Sequence, residues 1–78
     1  MNRNLGQAHY STSYVEDKEA GCSGLELYKT IQGKRERVAS VIFWDACGQF
    51  CVETFGTDVS LDIMEALIAE TKERIKVR

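Results

Sequence analysis

The sequence predicts an α+β fold: a three-stranded antiparallel meander followed by one C-terminal helix (βββα), behind a flexible N-terminal leader. Three observations carry that expectation. Two runs rich in β-branched and aromatic residues, 37–45 and 49–55, flank a turn that ends in Gly48. An alternating run from Gly24 to Ile31 precedes them. After Gly56 the apolar period changes from two residues to three or four, the spacing of a helix.

The first strand is expected over Gly24 to Ile31, where Leu25, Leu27 and Ile31 alternate with Glu26, Tyr28 and Thr30. Gln32-Gly33 then makes a two-residue hairpin loop, with Gly33 free to take positive φ. Arg37 to Asp45 forms the second strand through Val38, Val41, Ile42, Phe43 and Trp44. Asp45-Ala46-Cys47-Gly48 reads as a type I turn followed by a glycine bulge, and Gln49 to Phe55 as the third strand. These turns imply a register with Leu27 opposite Val38, Lys29 opposite Glu36, Trp44 opposite Phe50 and Ser40 opposite Thr54. One sheet face then carries Leu25, Leu27, Val38, Ile42, Trp44, Phe50 and Val52. The other carries Tyr28, Ala39, Val41, Phe43, Cys51 and Phe55, with Glu26, Arg37 and Glu53 among them.

Thr57, Asp58 and Ser60 are each competent helix caps, and Asp62 suits the positive end of the helix dipole. Leu61, Met64, Leu67, Ile68 and Ile75 form the apolar stripe. Lys72, Arg74, Lys76 and Arg78 suit the negative end, and Glu70 lies one turn before Arg74. The leader, residues 1–23, is polar, and its Tyr10–Val15 stretch is rich enough in β-formers to add an edge strand. The domain proper is expected over 24–78.

A chain of 78 residues holds one domain with a thin core, which association would support. Its net charge of −2 does not mark a nucleic-acid or anionic-membrane binder. The three cysteines, Cys22, Cys47 and Cys51, are too few for a disulfide framework, and no signal peptide or membrane span is visible. A cytoplasmic location with reduced thiols is the expectation.

No motif points to catalysis or a cofactor. Cys47 and Cys51 have three residues between them and straddle a hairpin turn, whereas a redox pair favours two and a helix start. Zinc would need further ligands than His9, Cys22 and scattered carboxylates supply. Gly21-Cys-Ser-Gly24 lacks the lysine and the following helix of a phosphate loop. Glu53 and Asp45 are isolated carboxylates. The Lys34-Arg35-Glu36-Arg37 cluster offers a nucleic-acid contact, but Glu36 interrupts it.

One helix can cover only one face of a sheet. The expectation is that the face with Leu27, Ile42, Trp44 and Val52 receives the helix, leaving Tyr28, Val41, Phe43, Cys51, Glu53 and Phe55 as an interface or ligand pocket. An exposed apolar patch of that kind marks an interaction site. Roughly 400 Å² of it would be worth on the order of 10 kcal/mol before association costs. The function this implies is a small soluble non-enzymatic interaction module, homo-oligomeric through that face. A small apolar ligand held there is the alternative, and nucleic-acid contact through 34–37 a weaker one.

Overall fold

The computed structural model describes residues 1–76. The strands are β1 (Asn2–Leu5), β2 (Ala8–Asp17), β3 (Cys22–Ile31), β4 (Lys34–Trp44) and β5 (Gln49–Thr54), followed by helix α1 (Leu61–Arg74). They form a single antiparallel sheet in the order β1-β2-β3-β4-β5, with α1 packed across β3 and β4.

The α+β class and the single C-terminal helix stand, but the three-stranded meander is corrected to five strands. The chain does not divide at Ser23, because β3 runs through it. The segment expected as a flexible leader supplies two strands, β1 and β2. Of the Tyr10–Val15 stretch, Tyr10 and Ser11 lie between β1 and β3, while Thr12–Val15 run past β1 and form the sheet edge. The pattern of β2 explains why it forms a strand. Ala8, Tyr10, Thr12 and Tyr14 turn to the helix side, where Ala8 and Tyr10 join the core. His9, Ser11 and Ser13 turn away. That is the period-two alternation of a half-buried strand, written with small polar residues on the outer side. Loop residues 6–7 close β1 on β2, with Gly6 at φ 62°. The loop 18–21 ends in Gly21, whose N–H donates to the Asp17 carbonyl over 2.9 Å.

The hairpin at Gln32-Gly33 is a two-residue loop with φ positive at both positions, 51° and 79°, as a type I′ turn requires. Lys29 lies opposite Glu36. One step further the ladder is interrupted: Tyr28 pairs with Arg37 but Leu27 pairs with Ala39, leaving Val38 as the extra residue of a β-bulge. Val38 and Ala39 are consequently both buried toward the helix. Beyond the bulge the alternation of β4 is inverted relative to the sequence expectation, because one inserted residue exchanges the two faces. Val41 and Phe43 lie on the helix side, while Ile42 and Trp44 lie on the open side.

The 45–48 turn also departs from expectation. It is a four-residue loop in which the Gly48 N–H (φ 64°) donates to the Trp44 carbonyl over 2.8 Å. Trp44 therefore pairs with Gln49, and Phe43 with Phe50, one residue from the predicted register. Phe43 and Phe50 meet edge to face with ring centroids 5.1 Å apart.

The core lies between the sheet and α1 and comprises Ala8, Tyr10, Leu25, Leu27, Val38, Ala39, Val41, Ile63 and Leu67. Ser60 caps the helix, its side chain accepting from the Ile63 N–H over 3.2 Å. The buried row is Ile63, Leu67, Thr71 and Ile75, with Met64 and Ile68 beside it. Leu61, expected in that stripe, is 74% exposed. Thr71 is accommodated because its hydroxyl donates to the Leu67 carbonyl over 2.7 Å. Glu70 pairs with Arg74 over 3.2 Å and also accepts from Thr12 Oγ1 (2.9 Å) and the Met1 amino group, tying β1 and β2 to the helix. Burial raises the Glu70 carboxyl pKa, but these donors outweigh it and hold the group below its ordinary value. Arg78, assigned above to the helix end, lies outside the described residues.

Candidate functional site

The sheet face turned away from α1 has two halves of different character. Toward the β3–β4 hairpin its aromatic rings are covered by the protein's own arginines. Arg35 lies over Tyr28, 3.7 Å from guanidinium carbon to ring centroid, and Arg37 over Phe55 at 4.2 Å. Their strand alternation sends Arg35 and Arg37 to this face. Glu26 anchors the group, accepting from Arg37 Nη1 (2.6 Å) and from the Tyr28 hydroxyl (2.9 Å). The bond to Glu26, assisted by burial and its negative charge, pushes the Tyr28 phenol pKa up, and the same carboxylate raises that of Arg37. Each exposed cation–π contact is worth about 0.5–1 kcal/mol, and the arginine stems hide apolar surface.

The other half, where β4 meets β5, has no such cover. Ser40, Ile42, Trp44, Cys51, Val52 and Glu53 line a shallow groove of about 350 Å³ there. Trp44 is 37% exposed and Cys51 is exposed. Ile42 folds over Gly24, where an added Cβ would lie 2.9 Å from Ile42 Cδ1. On the helix side of β5, Val52 is 51% exposed, because α1 packs chiefly on β3 and β4.

Of the six residues expected to form one interface or pocket, the structure keeps Tyr28, Cys51, Glu53 and Phe55 on the open face. Val41 and Phe43 are on the helix side, with Val41 in the core. Tyr28 and Phe55 lie beneath arginines, so no cavity draws Tyr28, Phe43, Cys51 and Phe55 together. Ile42 and Trp44 take the places expected for Val41 and Phe43. Sequence alternation missed them because the Val38 bulge has no glycine or proline to mark it.

Cys22, Cys47 and Cys51 are free thiols, and among the described residues no group of three or more His, Cys, Asp or Glu side chains could hold a metal ion. The His9 ring nitrogens lie 2.7 and 3.3 Å from Oδ1 of Asn4 and of Asn2, which places the ring on the sheet surface beside β1. Among the described residues, no helix is long and apolar enough to cross a membrane. Comparisons with protein-family models, curated proteins and solved structures find no match.

Proposed function

We propose that the chain is a small non-enzymatic interaction module that associates with copies of itself, and that its contact surface is the β4–β5 border. The carrying observation is the location of the uncovered apolar surface. Val52 on one face and Trp44 and Cys51 on the other are exposed along the same border, whereas the other exposed large apolar side chains, Leu5, Tyr14, Ile31 and Leu61, lie on β1, β2, β3 and the helix. Clustering of that kind at one margin favours a protein contact over a ligand site, which needs a concave enclosure. Lys34 and Arg35 stay at the far hairpin, away from this surface.

Light scattering coupled to size-exclusion chromatography tests the reading. A mass of twice the 8.8 kDa chain at micromolar concentration is expected. Trp44→Ser should shift the equilibrium toward monomer. A wild-type protein that stays monomeric up to millimolar concentration would overturn it.

A further inference from the structure

We propose that two copies join β5 to β5, antiparallel, across a two-fold axis that passes beside Cys51, so that their sheets become one continuous sheet. This rests on the self-association reading and specifies its geometry.

The sheet has two edges, and they are not equivalent. One is made of β1 and the part of β2 that runs past it. β1 is short, covers only Ala8–Ser11, carries Arg3 and is fastened through Met1 to Glu70, and the free stretch Thr12–Asp17 ends in the charged Glu16 and Asp17. The other is β5, Gln49 to Thr54, with no proline, no lysine and no bulge against β4. Natural edge strands are usually blunted by such features, and one that lacks them is a template for another strand. Which backbone groups are free follows from one hydrogen bond. The Phe55 N–H donates to the Val38 carbonyl over 3.2 Å, which makes the adjacent Ala39–Thr54 pair a non-hydrogen-bonded one. Alternation along β5 then turns the N–H and C=O groups of Phe50, Val52 and Thr54 outward, away from β4.

Self-pairing must oppose like with like across an axis, and few registers are open. Centring on Glu53 sets two carboxylates face to face. Centring on Val52 places Glu53 against the partner's Cys51, next to Ile42. Centring on Cys51 places Phe50 opposite Val52 twice, and Gln49 opposite Glu53 twice, where the amide can donate to the carboxylate. The outward N–H and C=O groups of Phe50 and Val52 are then satisfied reciprocally. On the helix side the row Val41, Val52, Phe50, Phe43 crosses the seam without a polar residue, the first two from one copy and the last two from the other. This covers the Val52 side chain that α1 leaves exposed. A two-fold, self-complementary strand pairing is also the simplest closed symmetry, leaving β1 and the Thr12–Asp17 stretch of β2 as the outer edge of both copies.

Cys51 and its symmetry mate would form a non-hydrogen-bonded pair, with Cα atoms about 4.5 Å apart, within the roughly 4.4–6.8 Å that a disulfide spans. The experiment uses this. In the full chain with Cys22→Ser and Cys47→Ser, diamide should link the copies rapidly. Two Cys51 thiols form one S–S bond, and their two protons and two electrons reduce the diamide to its hydrazine. Cys51→Ser should abolish the covalent dimer on non-reducing gels while light scattering still reports a dimer. Val52→Lys puts a charge in the apolar row, and Val52→Pro removes an N–H that faces outward and so spares the β4 ladder. Both should be folded monomers by circular dichroism and light scattering. A dimer that resists cross-linking through Cys51, or that persists in both Val52 variants, overturns the edge pairing and leaves self-association standing. A monomeric wild type overturns both.

Discussion

Gly24→Ala is expected to be the most damaging single-methyl addition in the protein, although strand propensity alone points the other way. Replacing an interior strand glycine by alanine should gain about 0.5–1 kcal/mol through reduced chain entropy. At this position an added Cβ would lie 2.8 Å from Ile42 Cα and 2.9 Å from Ile42 Cδ1, and closer still to the Val41 carbonyl oxygen. The Cδ1 methyl can rotate aside. The other two atoms belong to β4 backbone, and moving them opens the β3–β4 ladder beside Leu25 and Val41, both in the core. Overpacking against yielding side chains costs about 1–3 kcal/mol, and against backbone the upper end applies. After the entropic gain the net loss is about 2 kcal/mol, a fall in Tm of about 8–16 °C for a domain of this size. Thermal unfolding followed by far-ultraviolet circular dichroism measures it. The double variant with Ile42→Val, which removes only Cδ1, should recover a minor part of the loss. A Gly24→Ala protein that melts at or above the wild-type temperature would refute the reasoning. Complete rescue by Ile42→Val would show that side chain, not backbone, sets the constraint.

Two further outcomes test the helix and its tether. In urea unfolding, Leu67→Ala should cost about 2–5 kcal/mol as a fully buried side chain, whereas Leu61→Ala, at 74% exposure, should stay within about 0.5 kcal/mol; equal effects would mean that a different helix face meets the sheet. The Glu70 carboxyl is held below its ordinary value, so its contribution is present above the unfolded value of about 4.3 and disappears as pH falls through the folded value. Glu70→Gln should therefore lower stability at neutral pH by no more than about 1 kcal/mol, given how close the group is to solvent, and should flatten the acid limb of a Tm-against-pH profile; an unchanged acid limb would remove Glu70 from the account.

The elements legible in the sequence are those defined by local chemistry. The Gln32-Gly33 loop, the Lys29–Glu36 pairing, the Ser60 cap and the Glu70–Arg74 pair each depend on residues a few positions apart, and each is present. β2 carries a weaker signal because its outer face is histidine and serine as far as Val15 and its inner face is interrupted by Thr12. A strand with so little apolar contrast resembles a loop until the pairing with β3 is known. Thr12 shows why contrast failed there: it faces α1, and its hydroxyl is used by Glu70 rather than by the core. The alternation of Ala8, Tyr10 and Tyr14 was the available signal. The bulge at Val38 had none. It is required only by the meeting of β3 with β4, and a single uncounted residue there moves Val41, Ile42, Phe43 and Trp44 each to the opposite face.

That exchange alters what the helix shortage means. A lone helix leaves one sheet face open, and the apolar alternation alone predicts that the whole of that face needs a cover. Part of the demand is met inside the chain. Ser11, Ser13 and Gly24 present little apolar surface on the open side, and Arg35 and Arg37 lie over the two rings that would otherwise be bare. Leu5, Tyr14 and Ile31 are exposed on the helix side of β1, β2 and β3, but on β4 and β5 the deficit exists on both faces at once: Trp44 and Cys51 on one, Val52 on the other. A partner stacked flat on the open face would leave Val52 exposed, and a partner on the helix side would leave Trp44. Only a strand added at the β5 margin approaches both faces, because its side chains alternate just as those of β5 do. The two-sidedness of the exposed surface is therefore the physical reason to look for the contact at an edge.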